Sequence, residues 1–301
     1  MDTAVLRTYV HIIEEGSFAG AARRMGISRS LVSKYVSDLE ARLGAQLLTR
    51  STRSLRPTEL GQSYYDQVRD ILRNLDEADD SVRQGAGLVA GRLRIGAPIS
   101  FTLRVLHPHV MRFMEENPDV RLDLSLDDGC IDPVAGGFDA TIRVGMLEDS
   151  TLRAKQLGMV DTVLVASPEY LAQHGTPTEP ADLANHRCLY YTNTRSAGTW
   201  PFRHQGETIH QKVTPAFSTN NGDMIRTAAL EGQGVALTVG FQVDEDLEAG
   251  RLVRLMPGYG LPELPISVIW PSSRNMSAAL RAFVDFLSKS DLAGGKEAGP
   301  A

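Results

Sequence analysis

The sequence predicts an α/β protein in two parts, a small helical head and a larger body of alternating strands and helices, joined by one long helix. Three observations carry that prediction. At 301 residues the chain has room for about two domains of ~150 residues each. The hydrophobic pattern is helical to about Gly44 and alternates between strand and helix from residue 92 onwards. The charge divides along the same line: residues 1–60 hold nine Lys and Arg against six acids, net +3, while the remainder holds 22 against 31, net −9. A basic head on an acidic body points to one part that meets phosphates and another that does not. With 42% hydrophobic and 23% charged residues the chain can bury a real core. No run reaches the ~18 apolar residues of a membrane span. The opening MDTAVLRTYV lacks a basic stretch followed by an apolar one, so a secretory signal is not expected. Cys130 and Cys188 match no zinc or disulfide spacing, and the expected setting is the reducing cytoplasm.

In the head, Leu6, Tyr9, Val10 and Ile13 recur at helical spacing and predict a first helix ending near Gly16. Ser17 is the cap of a short second helix with Phe18, Ala21, Ala22 and Met25 inward, stopped by Gly26. Ser28 caps a third helix running to about Leu43 before Gly44, with an apolar stripe of Val32, Val36, Leu39 and Leu43. Its opposite face gathers Arg29, Ser30, Ser33, Lys34 and Ser37. That row suits a recognition helix, because cations meet phosphate or guanine and short hydroxyls let the backbone come close. The capped N-terminus with Ser28 also favours a phosphate. A short helix, a glycine turn and a longer helix make a helix-turn-helix. The plain alternative is a solvated face on a small bundle.

Leu47 and Leu48 then start a strand, Thr52-Arg53-Ser54 turns it, and Leu55 returns it to Pro57. A ribbon carrying Arg50, Arg53 and Arg56 beside such a helix reads as a wing, whose tip arginine suits a narrow minor groove. These residues together resemble the winged helix-turn-helix of LysR-type transcriptional regulators. The resemblance rests on Ser17-Phe18-x-x-Ala21-Ala22, the Ser28 cap, Val32-Ser33, Leu39-Glu40-x-x-Leu43-Gly44, Leu47, Arg50 and Thr58-x-x-Gly61. Arg29 stands where many members carry glutamine and Lys34 where many carry arginine, so base preference does not carry over.

From Thr58, a cap with Glu59 in the first turn, a helix is expected to about Gly85. Tyr64, Val68, Ile71, Leu75, Ala78 and Val82 form a heptad seam flanked by Asp66, Arg69, Asp70, Arg73, Glu77 and Asp79. The seam fits a partner helix or its own chain. The resemblance implies paired linker helices and a homodimer, or a tetramer of two dimers. Residues 85–91 read as a hinge.

In the body, strands are expected at 93–98, 121–126, 139–145, 162–167, 235–240 and 266–270. Helices are expected from Ser100 to about Glu116, over 222–232 and over 276–288. Asn117-Pro118-x-Val120, Gly137-Phe138-Asp139, Ile142-Arg143-x-Gly145 and Glu231-Gly232-x-Gly234 are similar to the effector-binding half of the same family. The resemblance implies a two-lobed, periplasmic-binding-protein-like α/β domain. The expected divisions are a winged head at 1–58, linker and hinge at 59–90, an effector domain at 91–290 and a disordered tail at 291–301. Within the effector domain, lobe I takes 91–162 with 266–290, and lobe II takes 163–265. A small, anionic effector of unknown identity is expected between the lobes. Ser100, as a helix cap, and Thr102 are its candidate anion donors. Thr192, Asn193, Thr219 and Asn220 are polar partners from the other lobe, Phe101 and Phe202 are apolar walls, and Arg143 is either a pocket cation or a salt-bridge partner.

Other signals point nowhere strongly. His107-Pro108-His109 lacks further ligands for a metal, and redox sensing through Cys130 or Cys188 is not expected. Gly232-x-Gly234 does not complete a dinucleotide fingerprint, and no hydrolase, zincin or P-loop motif occurs, so neither catalysis nor a cofactor is expected. Expected partners are double-stranded operator DNA, the effector, a second copy of the chain and, as a further candidate, RNA polymerase, with no membrane. The competing reading is a small-molecule binding protein whose basic head serves assembly. The recognition face, wing and +3 charge favour DNA.

Overall fold

The computed structural model describes residues 2–50, 55–85, 89–129, 133, 136–147, 151–194, 198–272 and 276–292. The chain divides into two compact units, Met1–Leu88 and Val89–Ala301. The first unit therefore takes in the linker helix as well as the expected head of 1–58.

In the first unit, α1 (Thr3–Glu15), α2 (Phe18–Met25) and α3 (Arg29–Leu43) form where the caps placed them. Ser17 Oγ accepts from the Gly20 amide at 3.0 Å and Ser28 Oγ from the Leu31 amide at 3.2 Å. Gly16, Gly26 and Gly44 close the three helices at φ of 61°, 66° and 64°, a left-handed turn that a side chain would strain. Tyr9, Ile12, Ala21, Val32, Val36, Leu39, Leu47 and Leu48 make the core. Leu43, expected at the end of the buried stripe, is 41% exposed; the stripe ends at Leu39 because the chain turns away at Gly44. Strands β1 (Leu48–Arg50) and β2 (Leu55–Pro57) pair antiparallel, Leu48 opposite Pro57 and Arg50 opposite Leu55.

The linker α4 (Glu59–Gly85) begins against this core. Thr58 Oγ1 accepts from the Gly61 amide at 3.0 Å, and Tyr9 Oη donates to the Gly61 carbonyl at 2.8 Å. A Cβ on Gly61 would lie 1.9 Å from the Leu47 carbonyl oxygen, so only glycine allows this approach. Part of the expected seam is spent within the chain: Val68 packs with Leu72, Leu6 and Val10, with Tyr64 alongside. Ile71 and Leu75, by contrast, are 57% and 40% exposed. The Val82 side chain and the hinge residues 86–88 lie outside the described residues.

The second unit has two sheets. Lobe I orders its strands β4-β3-β5-β14-β6. These are β3 (Gly91–Ala97), β4 (Val120–Leu126), β5 (Ala140–Val144), β6 (Leu152–Val160) and, arriving last, β14 (Leu264–Pro271). β3 is parallel to β4 and β5, while β14 runs antiparallel between β5 and β6. One continuous helical stretch follows β3: α5 (Ile99–Phe101), a π turn (Thr102–Leu106) and α6 (His107–Glu116). Phe113 of α6 meets Phe283 edge-on at 5.0 Å in the lobe core.

Lobe II contains β7 (Thr162–Ala166), α7 (Pro168–His174), a 3-10 turn (Pro180–Asn185), β8 (Cys188–Tyr191), β9 (Thr199–His204), β10 (Glu207–Lys212), β11 (Pro215–Thr219), α8 (Gly222–Leu230), β12 (Val235–Val239), α9 (Gly240–Glu248) and β13 (Val253–Arg254). Its sheet runs β11-β8-β12-β7-β13, with β9 and β10 as a separate hairpin. The chain passes from the lobe I sheet to the lobe II sheet at Asp161 and returns before β14. α10 (Ala278–Ser288) closes lobe I, and Leu292 beyond it is buried in the same core. Leu292 falls within the tail expected at 291–301, and residues 293–301 lie outside those described.

Candidate functional site

The recognition helix gains its outward face from the burial of the other. Val32, Val36 and Leu39 are 0–1% exposed, which turns Arg29, Ser30, Lys34 and Ser37 to solvent and leaves Ser33 half-buried. Among the described residues neither Arg29 nor Lys34 takes part in an ion pair. Ser28 and Ser30 share a hydrogen bond at 2.9 Å beside the open N-terminal turn. Glu40, on the inner side of α3, was not singled out from the sequence as a functional residue, yet it sets the wing. Its Oε1 accepts from the Leu47 amide at 2.8 Å and the Leu48 amide at 3.0 Å, tying the first strand of the ribbon to the recognition helix. Arg50 lies on β1, but its side chain, and all of Arg53, fall outside the described residues.

In the body, the expected effector residues fall into three groups. Ser100 (4% exposed) and Thr102 (2%) sit together at the start of the helical stretch after β3. Ser100 is not its cap: the helix begins at Ile99, and Asp128 Oδ1 accepts the Ile99 amide at 2.9 Å. Asn193 and Asn220 meet across the ends of β8 and β11, where Asn193 Nδ2 donates to the Asn220 carbonyl at 3.3 Å. Thr192 donates its amide to the Thr219 carbonyl at 2.9 Å in the same place. Phe101, Phe202 and Arg143 stand apart. Phe101 is buried in the lobe I core and meets Phe241 of α9 edge-on at 5.6 Å. Phe202 is buried in the lobe II core, edge-on to Tyr259 at 6.2 Å. Arg143 sits on β5 opposite Ser267.

Between the lobes the structure adds residues that the sequence reading missed. Asp223, in the first turn of α8, accepts from Ser100 Oγ at 2.7 Å and from Arg104 Nη2 at 2.8 Å. Burial works to raise its carboxyl, but the hydrogen bonds from Arg104 and Ser100 and the charges of Arg104 and Arg226 outweigh it and hold it below the usual range. Asn221, the cap of α8, donates to Asp128 Oδ2 at 2.7 Å, and Asn193 Nδ2 donates to the Asp128 carbonyl. α8 is itself anchored, since the fully buried Asp246 of α9 takes Arg226 at 2.5 and 2.9 Å. The one sequence signal for Asp223 was an acid in a helix first turn, which reads equally as a favourable helix-dipole charge.

Cys188 lies in the lobe II core with its thiol pushed up to about 11 by burial; Cys130 is outside the described residues. His107 is exposed at the start of α6, and the described residues bring no three potential metal ligands together. No described helix is long and apolar enough to cross a membrane.

Comparison with known proteins matches residues 4–62 to a family described as "Bacterial regulatory helix-turn-helix protein, lysR family", and residues 86–291 to "LysR substrate binding domain". The HTH-type transcriptional regulator CrgA of Neisseria meningitidis is 35% identical over 284 residues, covering 94% of each chain. A solved structure of CrgA from Neisseria meningitidis, 33% identical, superposes with a TM-score of 0.60 over 96% of this chain and 98% of the other. Full-length AphB, a virulence activator of Vibrio cholerae, is 28% identical with a TM-score of 0.63 over 95% and 98%.

Proposed function

The chain belongs to the LysR family of bacterial helix-turn-helix transcriptional regulators, and from that premise we propose how this member reads DNA and what its body answers to. Arg29, Ser30, Ser33, Lys34 and Ser37 enter the major groove, with Ser28 and the helix N-terminus at a phosphate. Arg50 and Arg53 of the wing take the flanking minor groove. Two copies pair through the part of α4 that carries Ile71 and Leu75, so that two half-sites are read together. A small anion bound between the lobes, near Ser100, Thr102, Asn193 and Asn220, shifts the protein between two states.

The observation that carries the DNA reading is the unspent face of α3, whose two cations face solvent while its apolar stripe is buried. A gel-shift against the intergenic region upstream of the protein's own gene tests it, with a salt titration on Lys34→Ala. A guanine contact costs about 1–3 kcal/mol at one base position, whereas a phosphate contact weakens all sequences and reduces the salt slope by about one. Wild-type binding by both Lys34→Ala and Arg29→Ala would remove this face from the interface.

A further inference from the structure

The N-terminal turns of α5 and α8 face each other across the cleft, and two carboxylates lie between them. Asp128, from lobe I, takes the Ile99 amide and lobe II's Asn221. Asp223, from lobe II, takes lobe I's Ser100 hydroxyl and Arg104 guanidinium. A helix start, a buried hydroxyl and a guanidinium are what an anionic ligand needs, and here the anion in place is the protein's own.

We propose that Asp223 is a built-in ligand of the cleft, which latches the lobes together by occupying the Ser100–Arg104 receptor and which an incoming anion must displace. This rests on the reading of the cleft as an anion-effector site. Asp223 fills the receptor incompletely. Arg104 Nε is buried there without a hydrogen-bond partner, and a buried donor left unpaired is costly. An anion with its oxygens spread more widely than one side-chain carboxylate satisfies a donor that Asp223 cannot, and that difference lets it win. Displacement removes the Asp223 tie between α8 and α5 and leaves the Asp128–Asn221 bridge as the remaining polar link between those two helix starts. The latched and ligand-bound states therefore differ in which group joins the lobes, as a ligand-driven population shift requires.

The test uses the full chain with inorganic sulfate as the probe anion. Asp223→Asn keeps the side-chain volume and removes the charge. Amide exchange in segments 97–106 and 221–230 should become at least tenfold faster together, and the half-saturating sulfate concentration should fall at least tenfold, because two charge-assisted donors are freed. Arg104→Gln opens the same pair from the other lobe. It should speed exchange in both segments as well, and should abolish the sulfate gain when combined with Asp223→Asn. Exchange unchanged in both variants, with sulfate binding equally in all proteins, overturns the latch and leaves the anion-site reading standing. Faster exchange without any gain in sulfate affinity overturns the competition, and with it the anionic reading of the cleft.

Discussion

Replacing Glu40 should loosen the wing from the recognition helix. Its single oxygen Oε1 holds the Leu47 and Leu48 amides at 2.8 and 3.0 Å, and those residues are 2% and 0% exposed. A hydrogen bond to a charged acceptor contributes about 1.5–3 kcal/mol, and a buried N–H without an acceptor costs about 1–3 kcal/mol. The two bonds share one oxygen and do not add, so Glu40→Ala should cost about 3 kcal/mol. At 4–8 °C per kcal/mol for a unit of this size, the head should melt about 12–24 °C lower. Glu40→Gln keeps a carbonyl acceptor and loses the charge, so it should cost about half as much. The chain has two tryptophans, Trp200 and Trp270, both in the body, which makes their fluorescence an internal control that should not move. The head is followed by amide exchange, where the segment holding Leu47 and Leu48 should exchange about 100-fold faster in Glu40→Ala, with about tenfold per 1.4 kcal/mol. Operator affinity should drop alongside. Wild-type protection of those two amides in Glu40→Ala would refute the reasoning.

Three further outcomes are expected. Gly61→Ala sets a methyl 1.9 Å from the Leu47 carbonyl oxygen, and the head should lose about 3 kcal/mol; a head as protected from exchange as wild type would mean that α4 can shift freely. Ile71→Glu, or Leu75→Glu, should dissociate the oligomer in sedimentation, since each places a charge in a buried helix pair, and an unchanged sedimentation coefficient would count against pairing through α4. Stability should also fall with pH through His186, whose imidazole is held below its usual value by burial, with Asp182 opposing and His174 assisting. Its Nδ1 faces Tyr170 Oη at 3.2 Å, and that hydroxyl accepts the Arg187 amide at 2.9 Å, so the neutral ring completes a chain. Because the unfolded histidine, with a pKa of about 6.5, takes its proton first, this contribution is whole above that pH and is lost as pH falls towards the folded value. The urea midpoint read by tryptophan fluorescence should decline from pH 7.5 to 5.5 less steeply in His186→Gln, and parallel declines would dismiss the histidine.

What was legible in the sequence was local. Ser17 and Ser28 as caps, Gly16, Gly26 and Gly44 as stops, and the helical stripe of α3 follow from residues within one or two turns of each other, and they stand where expected. Leu43 had the right spacing but nothing opposite it to bury it, a fact that spacing does not contain. β6 went unseen because it alternates poorly and carries polar residues outward as an edge strand. In the cleft, Ser100 was legible as the mouth of a helix, but its partner lies 123 residues away on another element. The cap that Ser100 was expected to supply comes from Asp128, 29 residues beyond Ile99. Phe202 as a wall failed for a similar reason: an aromatic on a strand faces core or cleft according to the hairpin that carries it, and here Tyr259 claims it.

The place of β14 has a consequence for synthesis. Lobe I's sheet has β14 between β5 and β6, so until residues 264–271 leave the ribosome β5 is paired on its β3 side alone and β6 has no partner. Lobe II is contiguous and has all its strands by Arg254 and its last packed side chain by Leu261. The nascent body must therefore finish its second lobe first, while β5 and β6 wait with open edges, the kind of surface on which chains aggregate. A nascent chain that pauses with residue 261 just clear of the ribosome holds a complete lobe II beside a split sheet, and the next ten residues to emerge are what close it.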